Sequence, residues 1–389
     1  MIKQAITIFL ISVSFHCFAL EGLLLKTIDY SFKEKWNNTA GSTTPRLSAC
    51  NTVYRGQFFF IAAIACDFGI DAQGVSDAEY SVRIVKPDNS DYFFQGNLPL
   101  LKRKVSNTKD LQMSDSMLKI SFEDKDSLGT YKIEMILTDK VSGKTKTISS
   151  ELSLEALPPY DKFKVKDDDS FSEWFSTYYE KPNPEKALAH YIFYAHSKFS
   201  EKESSFLPMF SVILEIFRNN QFLLPQVLES FKKEDDKTKI YLIYLLHYSG
   251  IGPQDFFDKL DGGFSEAYMS IKDSPLPDPY GEITDASQLD MLWATFLASG
   301  SYKPIQKLIQ TLDYKKYEGD LDKYKKSQKT DADRQKAVNN AIFNSLTWSM
   351  ASNCTQHELV KAYCFWALQH EKLSETQRKE LKKILNELK

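Results

Sequence analysis

Charge of one sign is the first thing this sequence lacks. Its 49 basic residues stand against 52 acidic ones, a formal net charge of −3. A balance that even gives no general attraction to nucleic acid or to an anionic lipid surface. Long apolar runs are also missing beyond the first 19 residues. Nothing after them approaches the roughly 20 residues of a membrane span, so no integral membrane segment is expected in the remainder. Catalytic signatures are absent as well: there is no G-x-S-x-G elbow, no P-loop and no H-E-x-x-H. Cysteine and histidine are scarce, and only Cys354, His357, Cys364 and His370 cluster. On a single helix His357 and Cys364 would lie about 10.5 Å apart along the axis. One metal needs ligands within roughly 2.0–2.3 Å, so neither a metal nor another cofactor is expected.

What is present begins with the leader. "MIKQAITIFLISVSFHCFAL" has Lys3, an apolar run from Ala5 to Val13, and Cys17 and Ala19 at the −3 and −1 positions of a cut after Ala19. This is the pattern of a secretory signal peptide spanning 1–19. His16 before Cys17 argues against lipidation, since small residues are preferred there. The expected destination is the periplasm or the exterior, where disulfides persist. Cys50 and Cys66 flank a hairpin-like segment and are the expected bonded pair, stabilising by roughly 3 kcal/mol. Cys354 and Cys364 look unsuitable. "TQHE" (355–358) reads as a helix start, which would put Cys364 about 13 Å from Cys354 along that helix.

Residues 20–156 read as strands. Residues 129–154 read as a hairpin turning at Ser142–Gly143, in which Tyr131, Ile133, Met135 and Leu137 share one face. A strand over 78–90 ends in Pro87, Asp88 and Asn89, and "MLKISF" (117–122) is another. "FFFIAAIAC" (58–66) is apolar on both faces, so a second layer must cover it. Several short strands predict an antiparallel β-sandwich.

"ALPPYDKFKVKDDDS" opens a solvated linker, placed at 157–169, after which the period becomes helical over 170–389. Capping patterns occur at "SFSE" (170–173), "SEKE" (200–203), "TQHE" and "SETQ" (374–377). Asn183–Pro184 reads as a helix start, and Gly250 and Gly300 as ends. "IYLIYLLHYSG" (240–250) and "SQLDMLWATFLASG" (287–300) are apolar nearly all round and predict helices inside a hairpin stack or solenoid, with an irregular bundle as the alternative. Ala294 and Ala298 would let a neighbouring helix come close. A loop with three prolines is expected at 273–285, and the charged stretch 313–336 reads as a solvated loop or exposed helix, with a docking surface as the alternative.

Two resemblances add to this reading. Asp126, Gly129, Tyr131 and Asp139 loosely match a strand pair of bacterial immunoglobulin-like modules, which implies an Ig-like sandwich that binds or spaces. Leu289, Asp290, Leu292, Trp293, Phe296, Ala298 and Gly300, with Trp348, Ser349, Ser352, Asn353, Gln356, His357 and Val360, resemble segments of uncharacterised exported bacterial proteins. That likeness implies a helical domain without known chemistry.

The candidate binding residues are Trp293, Trp348, Asn353 and His357, expected around a helix–helix corner, either as a hydrogen-bonded brace or as a pocket. No catalytic residue is assigned. The expected function is a non-enzymatic interaction or scaffold protein of the cell envelope with an unknown protein partner. The alternatives are an envelope-polymer hydrolase with its cleft between the domains and a secreted host-directed factor.

Overall fold

The computed structural model describes residues 20–39, 45–201, 203–276, 278–326 and 330–387. The expected signal peptide and one residue of the 200–203 capping pattern lie outside them. The chain is mixed α/β, with an N-terminal sheet region and a C-terminal helical domain. First come β1 (Glu21–Thr27), α1 (Phe32–Asn37), β2 (Thr52–Tyr54), β3 (Phe59–Cys66), β4 (Val75–Val85), β5 (Asp91–Lys104), β6 (Gln112–Met113), β7 (Leu118–Ile120), β8 (Gly129–Asp139) and β9 (Thr145–Glu155). Then follow α2 (Asp168–Thr177), α3 (Ala187–His196), α4 (Glu203–Asn219), α5 (Leu224–Phe231), α6 (Asp236–Ser249), α7 (Gln254–Phe257), α8 (Gly262–Ile271), α9 (Ala286–Ser299), α10 (Tyr302–Thr311), α11 (Asp320–Lys326), α12 (Asp331–Gln356), α13 (Glu358–His370) and α14 (Glu375–Asn386). The described residues of Met1–Leu25, Ile61–Leu118 and Thr130–Leu152 form one compact unit, and those of Lys26–Phe60, Lys119–Gly129 and Ser153–Lys389 a second.

In one sheet β3 is flanked by β1 and β6 and also pairs with β7, while the second sheet runs β2-β9-β8-β4-β5 and curls into half a barrel. The expectation of a purely antiparallel arrangement needs correcting: β2 pairs in parallel with the end of β9, at Ser153–Glu155. The alternation in β8 holds, with Tyr131, Ile133, Met135 and Leu137 fully buried. Gly22 of β1 passes so close to this layer that a Cβ there would sit 2.3 Å from Leu137. Asp139 ends β8 by accepting from the Gly69, Val141 and Ser142 amides and the Ser142 hydroxyl, and these bonds hold its carboxyl below the usual range despite burial. The aspartate of the immunoglobulin-like pattern thus anchors a turn.

The expected Cys50–Cys66 bond is not formed: Cys50, Cys66, Cys354 and Cys364 are all unbonded thiols in the structure. Cys66 closes the eight-residue β3, and the Cys50 amide donates to the Lys26 carbonyl. Burial on both faces of β3 is as expected. Phe59 stacks on Phe122, and Phe60 meets Tyr30 and Phe32, from a segment whose sequence gave no sign of a partner.

In the second unit, no residue of the segment read as a linker, 157–169, is fully buried, and its partly buried Leu157, Tyr160 and Val165 pack on an apolar cluster while Gln226 donates to the Pro158 carbonyl. Among the described residues of this unit there are two such clusters, and α9 is their shared wall. Leu289, Leu292, Trp293 and Phe296 belong to one, with residues of α10, α12, α13 and α14; Ala294 and Ala298 belong to the other, with residues of α3, α4 and α6. The two alanines give α4 its close approach to α9. Gly250 and Gly300 end α6 and α9 in the left-handed conformation, with φ of +71° and +68°. Among the described residues no helix is long and apolar enough to cross a membrane.

Candidate functional site

The residues of the α9 and α12 sequence patterns converge on a buried polar network in the second unit. Trp293 Nε1 donates to Ser349 Oγ at 3.1 Å, and Asn353 Nδ2 donates to the Ser349 carbonyl at 2.9 Å. His357 breaks the path between α12 and α13, with an extended φ of −125°. The Tyr179 hydroxyl shares a hydrogen bond with His357 Nδ1 at 3.2 Å and lies 3.1 Å from a Glu180 carboxylate oxygen. Burial pushes the His357 pKa down, so its ring is neutral near pH 7. Phe296 of α9 lies against both rings.

Beside them sits a group that the sequence reading missed. Lys35 of α1 is buried and donates to Asp29 Oδ2 at 2.6 Å and to the Tyr179 carbonyl at 2.8 Å. The Ser31 amide donates to Asp29 Oδ1 and its hydroxyl to the Ser299 carbonyl. Glu34 accepts from the Ser301 hydroxyl at 2.6 Å and the Tyr302 amide at 2.9 Å, placing a carboxylate at the N-terminus of α10. Tyr363 donates to the Gly300 carbonyl at 2.7 Å. The buried ion pair is thus neutralised internally, and this corner braces four helices rather than presenting a reactive group.

Of the four expected binding residues, the structure brings Trp293, Asn353 and His357 to this brace. Trp348 does not join them: it points outward from α12, 74% exposed. A tryptophan is most often buried, but residue 348 falls on the wet side of a helix whose inner positions are Leu346 and Met350.

A cavity in the second unit lies on another side of α9. It holds about 430 Å³ and is walled by Leu214, Tyr248, Pro275, Leu276, Pro279 and Tyr280, with Glu215, Arg218, His247 and Asp278 among its polar groups. Glu215 and Arg218 come from α4, and His247 comes from the end of α6, where burial lowers its pKa. The Arg218 guanidinium donates to the Tyr248 carbonyl at 2.7 Å. The hydroxyl of Tyr280 is pushed above its ordinary pKa by burial first and then by Glu215, Glu34 and Asp278, while Lys303 Nζ lies 4.2 Å from its ring centre. Two aliphatic hydroxyls line the cavity, those of Ser211 and Thr295. Both donate back to carbonyls of their own helices, Leu207 and Met291, so neither is aligned on a base as a nucleophile. Ser230 and Lys233, three positions apart, form no nucleophile–base pair: Ser230 donates to the Val227 carbonyl and Lys233 pairs with Glu229.

No protein-family model and no curated protein matches the chain. Among solved structures, a family 123 glycoside hydrolase from Clostridium perfringens, described for glycolipid glycan hydrolysis, is similar at a TM-score of 0.25 and 8% identity, over 52% of this chain and 36% of that one. A structure named pT26-6p is similar at 0.16 and 10% identity, over 85% and 49%. The chain therefore spans about a third to a half of each, and at these values neither likeness fixes a fold or a function.

Proposed function

We propose that this is an exported binding protein, cut after Ala19, whose helical unit receives a short basic segment of a protein partner in the 430 Å³ cavity. The observation that carries this reading is the pairing of aromatic and proline walls with Glu215 and Asp278 in one opening. A volume in that range suits one or two side chains of a ligand. Carboxylates around Tyr280 favour a lysine or arginine that can also lie on an aromatic face. The two sheets are read as a sandwich of the immunoglobulin-like kind that binds or spaces; the close pass of Gly22 over Leu137 supports face-to-face layers.

The experiment is fluorescence polarisation with three labelled peptides that differ only in a central Lys, Gln or Glu. The Lys peptide should bind best and weaken with salt. Glu215→Gln with Asp278→Asn should weaken it about tenfold or more without changing the melting temperature. Equal binding of all three peptides refutes the reading. Mass analysis of the mature N-terminus tests export: a first residue of Leu20 is the expected result. A hydrolase has one observation in its favour, the two carboxylates on one cavity, but this cavity lies within the helical unit, whereas the hydrolase alternative calls for a cleft between the domains.

A further inference from the structure

We propose that Cys354 and Cys364 are a disulfide site that staples α12 to α13. The inference goes beyond the binding role and stands whatever the ligand is. Read as one helix, the two cysteines are far apart. The chain instead ends α12 at Gln356, turns at His357 and starts α13 at Glu358, which folds the second cysteine back on the first. Their Sγ atoms lie 3.8 Å apart, in contact, and both side chains are buried. The other two cysteines are placed differently: the Cys66 thiol faces Asp67 at 3.8 Å, and burial holds the Cys50 thiol in its protonated form, its pKa pushed up to about 12.

The oxidation is a two-electron exchange with a small-molecule disulfide such as oxidised glutathione. One cysteine thiolate attacks a glutathione sulfur, breaking that S–S bond and releasing one glutathione thiolate. The second cysteine then attacks the mixed disulfide, forming the Cys354–Cys364 bond and releasing the other. The two cysteine protons end on the two glutathione thiols, so the protein pair is oxidised and the glutathione disulfide reduced. In the closed corner, Cys354 and burial push the Cys364 thiol well above its ordinary pKa, which suppresses the thiolate. The exchange therefore belongs to folding, before α13 seats on α12. The short span between the cysteines favours early pairing.

The full chain, denatured and reduced, is refolded in a buffer of reduced and oxidised glutathione. Remaining thiols are capped with N-ethylmaleimide, and the digest is read by mass spectrometry. Trypsin cuts at Lys361, between the two cysteines, so their peptides stay joined only if the bond exists. The expected result is that joined pair, lighter by two hydrogens and uncapped, with Cys50 and Cys66 capped. Reducing the bond should lower the melting temperature by about 5–10 °C, the shift expected for closing a loop this short in a unit of this size. Capped Cys354 and Cys364, a bond to Cys50 or Cys66, or a joined pair whose reduction leaves the melting temperature unchanged would each overturn the proposal. The mass readout needs no variant, so it stands even if Cys354→Ala with Cys364→Ala fails to fold.

Discussion

Gly300→Ala and Gly250→Ala form a matched pair of perturbations. Both glycines end a helix in the left-handed region, with φ of +68° and +71°. An alanine Cβ in that conformation costs about 1 kcal/mol at either site. The surroundings then separate them. Around Gly250 a Cβ would meet nothing within 4 Å. At Gly300 it would lie 2.3 Å from Lys35 Cε, 2.7 Å from Lys35 Nζ and 3.2 Å from Tyr179 Cδ2. The end of a lysine usually moves aside, but this one is held by Asp29 and by the Tyr179 carbonyl. Displacing it leaves a buried carboxylate without its cation, a loss of about 3–5 kcal/mol. Gly300→Ala should therefore cost about 4–6 kcal/mol and Gly250→Ala about 1 kcal/mol. Trp36, Trp174, Trp293, Trp348 and Trp366 all fall in the second unit, so tryptophan fluorescence during urea unfolding reports its stability. Equal costs at the two glycines would refute the claim that Lys35 is locked in place.

Lys35→Met should cost about 3–5 kcal/mol in the same assay, and adding Asp29→Leu should restore most of it, because an apolar pair replaces an unpaired buried charge. Additive losses would contradict that account. His190 sets an acid limit. Its ring stacks 4.0 Å from Trp174, Nδ1–H donates to the Lys186 carbonyl, and burial pushes its pKa from 6.5 down to about 4. Below pH 6.5 the unfolded chain takes up a proton that the native ring refuses until about pH 4, so this contribution is complete above pH 6.5 and lost between those values, to a total of about 3 kcal/mol. His190→Gln should flatten the fall of melting temperature across that window; an unchanged slope in the variant would rule out His190 as its source.

The sequence makes some of these elements plain and hides others for identifiable reasons. β8 is legible because one face is buried and the other wet, and the ends of α6 and α9 because only glycine takes their φ without strain. "SETQ" is a true capping box, with Ser374 and Gln377 bonding each other's amides. "SFSE" marks a real helix but slips by a turn: Asp167 is the cap and Ser170 its partner three residues on. "TQHE" misleads because Thr355 donates to the Ala351 carbonyl in the last turn of α12 instead of capping α13. Asn183 precedes a helical turn as expected, yet its side-chain oxygen accepts from Trp174. Lys35 and Asp29 are invisible by residue type, since charged groups are buried only when paired, and this charge centre is completed by Tyr179, 144 positions along the chain. The cavity is hidden for a similar reason: Glu215, His247, Asp278 and Tyr280 come from α4, α6 and an irregular loop, with no spacing that local reading could detect.

The bond from Ser31 to the Ser299 carbonyl spans 268 positions. Closing so large a ring costs little more than closing a moderate one, because the entropic cost grows only with the logarithm of length. The time needed to find such a contact is another matter, since distant pairings slow folding. As the ribosome delivers the chain, Asp29, Ser31 and Lys35 emerge before the helices that will enclose them. The helical body is completed by a stretch made before it, so this corner can lock only after nearly everything between has been made.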